Sequence, residues 1–419
     1  MNPMNQNQVI AVFGYNNTRI YDLIKIRKMA EQKFGAALLL VKEAINQADR
    51  DMAPYCLDHA PEDPGVVTSC VAYLREHNLE LIGCLPFSDK GVIGAAYVAK
   101  EFGLFGDDCA SSFAMLDKSL FRKLEADLSV SSSAYKKPFF YKTHSEAEIR
   151  QVLSSEGAFF IKPTSEGNSR GCMKIGSQAD LDQWLKENPA APQAGVICEE
   201  LLASSEEYSF DGVDGCYWIT KKFTTTGAYR AEYQQIVPAN FDDEQSRSLH
   251  EVLELLLGKL GSNGGAFHHE FFLLKDGRIA SVEPNRRPAG MWIWDLAEWA
   301  FEGFDPWSRW VDRCSGKPRQ EKTLQRQNYA GIRAVISRHN GILKKADLAA
   351  VEAELKEKFG EGKFRLSILK PPGSAIRSEP RDNSDFLAFV ALKHPDYDVL
   401  LASLDQAYEI ILKHLEIQS

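Results

Sequence analysis

Phe267-His268-His269-Glu270-Phe-Phe-Leu-Leu-Lys275-Asp276-Gly277-Arg278-Ile-Ala-Ser-Val-Glu283-Pro284-Asn285 is the stretch that decides the reading of this chain. Asp276-Gly277 between two apolar runs is the strongest short signal for a two-residue hairpin turn. If the turn is those two residues, Lys275 pairs with Arg278 and, counting back along both strands, Glu270 falls opposite Glu283. Their Cβ atoms would then stand ~4.5–5.5 Å apart, an arrangement that is unfavourable unless something positive lies between them. Asn285 is two residues on and so shares the face of Glu283, and Arg287 follows two later if the chain stays extended. Two carboxylates and an amide oxygen on one face make a hard-oxygen site suited to Mg2+, an ion that keeps water and phosphate oxygens as its other ligands. The plainer alternative is a solvated strand face whose carboxylates merely repel. His268 and His269 do not form H-E-x-x-H, and neighbours on a strand point to opposite faces, so they read as packed histidines rather than a ligand pair.

Working outward, apolar runs alternate with helical patterns over residues 1–112. Val9–Phe13, Ala36–Val41 and Leu79–Leu85 read as strands, with helices over 22–34 and Gly91–Phe102, which predicts a parallel α/β domain. The first strand ends at Gly14 without a G-x-G-x-x-G fingerprint, and no G-x-x-x-x-G-K-[ST] occurs, so neither a Rossmann dinucleotide site nor a P-loop is supported. Residues 113–325 open on a helix through Met115–Leu128 and a Ser-rich loop, Ser131–Lys137. Strands follow at Ala158–Lys162, Val196–Glu199, Tyr208–Phe210 and Cys216–Phe223. Leu249, Val252, Leu253, Leu256 and Leu260 share one helical face ahead of the hairpin. Residues 326–419 hold strands at Gly331–Ile336 and Phe386–Leu392 and helices at Ala346–Lys358 and 399–415, a smaller α+β domain. The expected class is therefore α/β plus α+β.

The 419 residues carry 49 Lys and Arg against 58 Asp and Glu, a net charge of −9. That acidic balance argues against a nucleic-acid partner, which needs a basic stripe, but not against a nucleotide, which needs only a local cluster of cations. With 44% hydrophobic residues, wholesale disorder is excluded. Met1–Gln8 is polar and lacks the apolar core of a secretory signal. The longest apolar runs are far short of the ~18–20 residues that span a membrane. The eight cysteines are scattered with no C-x-x-C pair, so they read as buried thiols in a reducing cytoplasm rather than as a zinc site.

Lys162 ends the strand Ala158–Lys162, and Pro163-Thr-Ser165-Glu-Gly167-Asn-Ser169-Arg170-Gly171 follows. Small residues let backbone N–H groups approach phosphate oxygens. Lys162 would add a compact charge and Arg170 a bidentate donor. Taken singly, such a loop is an ordinary surface turn and Lys118 an ordinary surface lysine. Their order in the chain, with the carboxylate hairpin downstream, changes the reading.

Together these residues resemble the ATP-grasp superfamily of carboxylate–amine ligases, and most resemble its L-amino-acid ligase branch, which makes dipeptides. Asp117-Lys118 resembles the first nucleotide lysine, and Phe159-Phe-Ile-Lys162-Pro the strand bearing the second. The segment from Ser165 through Gly167, Ser169 and Arg170 to Gly171 resembles the lid loop over the phosphates. Val196-Ile-Cys-Glu199-Glu200-Leu-Leu202 resembles the adenine hinge. Glu207-Tyr-Ser-Phe-Asp resembles the segment whose Glu holds the ribose, with Glu206 as the alternative because the spacing from Glu199 is one residue longer than in the family. Glu270 and then Glu283-Pro-Asn285-Arg286-Arg287-Pro-Ala-Gly290 resemble the Mg2+ and substrate-arginine motif. The resemblance implies an ATP-grasp fold with an α/β domain ahead of it and a small domain after it. It also implies ATP with two Mg2+ ions (Mn2+ as a substitute), an acyl-phosphate intermediate, small-molecule carboxylate and amine substrates, and a homodimer as in many relatives. Lys162 and Arg287 would have catalytic roles; Glu270, Glu283 and Asn285 would hold metal. Gly290, Met291 and Asp89 would meet the first amino acid, although Asp89 also reads as a helix cap. Pro284 and the doubled Arg286-Arg287 depart from the family pattern; Arg287 is chosen because it lies four residues from Glu283. Two other readings are an amide ligase acting on a non-amino-acid carboxylate and a nucleotide-binding module without catalysis. Five of the seven tryptophans fall between 292 and 310, which predicts a helix–domain interface.

Overall fold

Strands that are apolar on both faces belong in the middle of a covered parallel sheet, and Val9–Phe13, wholly buried, sits there. The computed structural model describes residues 7–15, 19–131, 133–164, 171–202, 206–226, 229–260, 265–318 and 322–418. Its first sheet is made of β1 (Gln8–Phe13), β2 (Ala37–Lys42), β3 (Tyr55–Asp58) and β4 (Glu80–Pro86), all parallel in the order β3-β2-β1-β4. The edge strand β3 and the helix Val66–Glu76 are additions to the sequence reading; β3 is short and only partly buried, so its pattern is weak.

The next sheet is antiparallel and small: β5 (Phe140–Thr143), β6 (Phe159–Pro163), β7 (Met173–Ile175) and β8 (Val196–Glu200), in the order β5-β8-β6-β7. The rest of the chain supplies β9 (Glu206–Val213), β10 (Cys216–Thr224), β11 (Glu232–Val237), β12 (Phe267–Leu273), β13 (Ile279–Asn285), β14 (Tyr329–Val335), β15 (Gly341–Ala346), β16 (Phe364–Ile368), β17 (Ala375–Ile376), β18 (Ala388–His394) and β19 (Leu415–Gln418). Eight of these form one sheet, β13-β12-β9-β10-β11-β14-β18-β16. The C-terminal residues therefore continue the large sheet through the β11–β14 ladder and add a three-stranded sheet, β17-β15-β19, of their own.

One face of the large sheet is apolar. Tyr208, Phe210, Ile219, Phe267 and Phe271 pack there against Leu253 and Leu256 of the helix Asp243–Lys259. The opposite face is polar and carries the candidate site. The β12–β13 hairpin reaches the expected pairing by a different route. Its loop has three residues, Lys275–Gly277, closed by Leu274 N–H donating to the Arg278 carbonyl at 2.9 Å, with Gly277 at φ +84°. That offset by one residue is cancelled by a β-bulge at Val282, after which Glu270 pairs with Glu283.

Aromatic packing joins the first sheet to the helices Ile293–Ala300 and Pro306–Cys314. Trp294, Trp307 and Trp310 are buried in one core with Val12, Leu40 and Leu85 of the first sheet. The Trp294 ring centroid lies 4.8 Å from that of Trp307 and 5.6 Å from that of Trp310, both edge-on. Trp292 lies outside this triad, under the Arg365 guanidinium at 3.9 Å. Gly83 of β4 sits so close to the helix Pro306–Cys314 that a Cβ would meet the Cys314 carbonyl oxygen at 2.8 Å. Among the described residues, no helix is long and apolar enough to cross a membrane. Gly83→Val is expected to cost about 1–3 kcal/mol of stability by overpacking this contact, read as a lower urea midpoint; an unchanged midpoint would show that the two elements are not tightly docked.

Candidate active site

Alternation along the strands puts Glu207, Ser209 and Asp211 of β9, Thr220 and Lys222 of β10, His268 and Glu270 of β12, and Glu283 and Asn285 of β13 on one face. Such a face is stable only if its charges are matched, and Glu283, Glu270 and Asp211 each have a cation or donor. Lys118 Nζ stands 3.2 Å from Glu283 Oε2, and the Asn285 amide donates to Glu283 Oε1 at 2.9 Å. Lys222 pairs with Glu270 and, at 2.7 Å, with Glu232. His268 lies between Asp211 at 2.6 Å and Glu270 at 3.0 Å. Burial opposes charge on that ring, but the Asp211 carboxylate, with Glu270, lifts its pKa to about 9. His269 points to the other face, 2.8 Å from Ser281 Oγ, and burial with its charged neighbour His268 lowers it to about 3.

The small sheet supplies the second wall. Lys162, at the end of β6, is buried and stands 2.6 Å from Glu199 Oε2 of β8. Arg122 of the helix Lys118–Ala126 donates to Glu199 Oε1 at 2.6 Å, to Glu125 at 2.7 Å and to the Ser281 carbonyl at 2.8 Å. Burial would raise the Glu199 pKa; Arg122 and then Lys162 outweigh it and hold the group down at about 2. One arginine thus ties the small sheet to the large one. Lys118 does the same: its backbone N–H donates to the Thr164 carbonyl while its side chain reaches Glu283. Glu199 therefore acts on Lys162 and Arg122, while Glu200 meets Lys136 at 2.8 Å. Leu202 follows the end of β8 and is partly buried.

Glu207, not Glu206, lies on the face of Glu270. Burial, countered by Lys222 and reinforced by Glu232 and Glu270, raises Glu207 to about 8. Glu206 is exposed and pairs with Lys221 at 2.9 Å. Arg287 grips Asp89 through two contacts of 2.8 and 3.2 Å, so two residues expected to meet substrate hold each other across the domains. Asp89 opens the helix Asp89–Glu101, for which Ser88 is the cap position. Arg286 turns away, donating to the Leu260 carbonyl and lying 3.8 Å from Asp107. A Cβ at Gly290 would meet nothing within 4 Å, and Met291 and Trp292 both hold left-handed backbones, at φ 45° and 57°. Met291 Sδ accepts from Gln235 at 3.4 Å. Ser165, Gly167, Ser169 and Arg170 lie outside the described residues; Gly171, at φ +67°, packs so that a Cβ would meet Pro163 at 2.9 Å. Sequence reasoning missed Lys222, Glu232, Asp211 and Arg122. For Lys222 there was a signal, its place two residues after Thr220 on a predicted strand.

The buried Glu199 pairs set a pH dependence. A carboxylate held below its unfolded pKa contributes stability that is complete above the unfolded value of 4.5 and fades as pH falls toward about 2. Glu199→Gln should cost about 3–5 kcal/mol near neutral pH, because it takes from buried Lys162 its carboxylate partner and leaves Arg122 with Glu125 alone. In urea unfolding at a series of pH values the gap from the parent should narrow below about pH 4.5; a gap constant down to about pH 3 would contradict the assignment.

No family model matches the chain. A D-alanine–D-alanine ligase of Bacillus licheniformis is 24% identical over 221 residues, 48% of this chain, and the match spans only 59% of that enzyme's length. The crystal structure of an L-amino acid ligase from Bacillus licheniformis superposes with a TM-score of 0.76 over 98% of both chains, at 17% identity. The biotin carboxylase domain dimer of the Hydrogenobacter thermophilus 2-oxoglutarate carboxylase, in complex with MgADP, ADP and bicarbonate, superposes with a TM-score of 0.66 at 13% identity, over 98% of this chain and 90% of that one. From the parallel sheet through the small antiparallel sheet to the eight-stranded one, this chain has the fold of the ATP-grasp carboxylate–amine ligases.

Proposed function

We propose that this protein is an ATP-dependent ligase that joins the carboxylate of one amino acid to the amine of a second and releases ADP and phosphate. The observation that carries this reading is the opposition of Glu270 and Glu283 on a polar sheet face, with Lys118 reaching that face and Lys162 standing in the facing small sheet. The full-length likeness to an L-amino acid ligase structure and the MgADP held by a biotin carboxylase of the same fold support it.

Mg2+ fits the donors: Glu270, Glu283 and the Asn285 amide oxygen are all hard oxygen ligands, and both carboxylates stand beside cations of the protein. Two ions are proposed, with Mn2+ able to substitute. Held by Glu270, Glu283 and Asn285, a divalent ion would supply positive charge against the negative charge that develops in phosphoryl transfer. Lys118 and Lys162 would exchange carboxylate partners for phosphate oxygens, Glu200 and Leu202 would meet the adenine, and Glu207 the ribose. A substrate carboxylate oxygen attacks the γ-phosphorus, the bond to ADP breaks, and an acyl phosphate forms. Arg287 binds that carboxylate and then the oxyanion made when the amine attacks the acyl carbon; phosphate leaves as the C–N bond is completed. Met291 and the open space at Gly290 would receive the first side chain. The eight cysteines are free thiols, in keeping with a reducing cytoplasm.

The test is phosphate release from ATP across pairs of amino acids, with product masses. At least one pair should give phosphate together with a product lighter than the pair by one water; no ATP turnover with any pair would contradict the proposal. Glu283→Gln should lower turnover by about 100-fold or more, the loss of a few kcal/mol of metal-assisted stabilisation, without loss of the folded circular-dichroism signal. Unchanged turnover would remove Glu283 from the metal site.

A further inference from the structure

Lys222 has no exposed side-chain surface, yet its ammonium stands among three carboxylates: 2.7 Å from Glu232, in contact with Glu270 Oε1, and across the β9–β10 ladder from Glu207. One oxygen from each of Glu207, Glu232 and Glu270 lies within 4.8 Å of the others. Three oxygens bound to one cation at about 2.0–2.6 Å stand no more than about 4–5 Å apart, so this is the spacing of a cation site, and the chain's own ammonium is already on it. We infer that Lys222 is a built-in counter-ion, occupying a cation position on the Glu207–Glu232–Glu270 triad and so presenting Glu270 to the metal of the nucleotide.

The division of labour is visible in the atoms. Glu270 Oε1 takes both Lys222 and, at 3.0 Å, His268, while Oε2 makes no hydrogen bond among the described residues. One oxygen is committed to the protein, which leaves the other for a ligand. His268 is itself fixed by Asp211, whose second oxygen accepts from Ser209 and Thr220, each at 2.7 Å. Glu232 anchors Lys222 from the other side, so the ammonium stays on the sheet when Glu270 takes a metal. Three carboxylates without that cation would repel one another or collect a free divalent ion. A tethered charge does neither and does not leave with the product. Lys222 is a positioning residue, acting through Glu270, and the inference rests on Glu270 being a ligand of the nucleotide's metal.

The experiment counts Mn2+ bound to the full-length, nucleotide-free protein by equilibrium dialysis. Lys222→Met should bind one ion per chain more than the parent; Lys222→Arg should match the parent; Lys222→Met with Glu232→Gln should lose the extra ion. Turnover of Lys222→Met should fall by about 10–100-fold, the usual range for groups that orient a metal ligand. A folded Lys222→Met protein with the parent's ion count overturns the inference. Should that variant not fold, Glu232→Gln serves: it leaves Lys222 to hold Glu270 alone and should raise the Mg2+ needed for half-maximal turnover by about tenfold, and an unchanged requirement overturns the inference. If Glu283→Gln abolishes turnover while Lys222→Met gains no ion, the ligase reading stands and only this inference falls.

Discussion

Like charges on neighbouring strands repel, and the large sheet of this protein places Glu207, Glu232, Glu270, Glu283 and Asp211 on one face. The rest of the site follows from how that repulsion is relieved. Lys222 and His268 relieve it from within the sheet, and Lys118 from the helix beside it. Arg287 makes the same kind of bond across domains, to Asp89. Among the described residues, Lys118, Lys162 and Arg287, the cations proposed to meet a phosphate or a carboxylate, are thus each held in advance by an acid of the protein. A ligand's anionic groups would take over partners that are already placed and desolvated, which is how a fixed polar environment favours charge transfer over water.

The same pairs hold the lobes together. Arg122 binds Glu199 of the small sheet and the Ser281 carbonyl of the large one, and Lys118 binds the Thr164 carbonyl and Glu283. Any movement of the small sheet is coupled through these bonds to the face that carries Glu283. The aromatic core around Trp294, Trp307 and Trp310 fixes the N-terminal sheet by contrast through apolar contact, and it brings Asp89 within reach of Arg287.

What was legible in the sequence was local. The hairpin could be read because Asp276-Gly277 marks its turn, although the loop is one residue longer than that signal implies and the bulge at Val282 restores the register. Three of the four parallel strands were legible because double-sided burial leaves uninterrupted apolar runs; the partly buried edge strand β3 leaves none. The strand Glu232–Val237 was not, because Glu232, Gln234 and Gln235 put polar groups where a buried strand shows apolar ones. Nor were the pairings of Arg287 with Asp89, 198 positions apart, or of Arg122 with Glu199, 77 apart. Spacing rules speak only for neighbours along the chain. The family resemblance named separate residues for a candidate site, but not that Arg287 is bound to Asp89 or Lys162 to Glu199.

If this face activates a carboxylate by phosphoryl transfer, as proposed, one carboxylate oxygen must pass to phosphate. The most direct measurement uses a first amino acid labelled with oxygen-18 in its carboxylate, followed by mass analysis of the phosphate released during ligation. One labelled oxygen should move into the phosphate for each amide bond made, with ADP as the other product. Unlabelled phosphate, or release of AMP and pyrophosphate in its place, would contradict it.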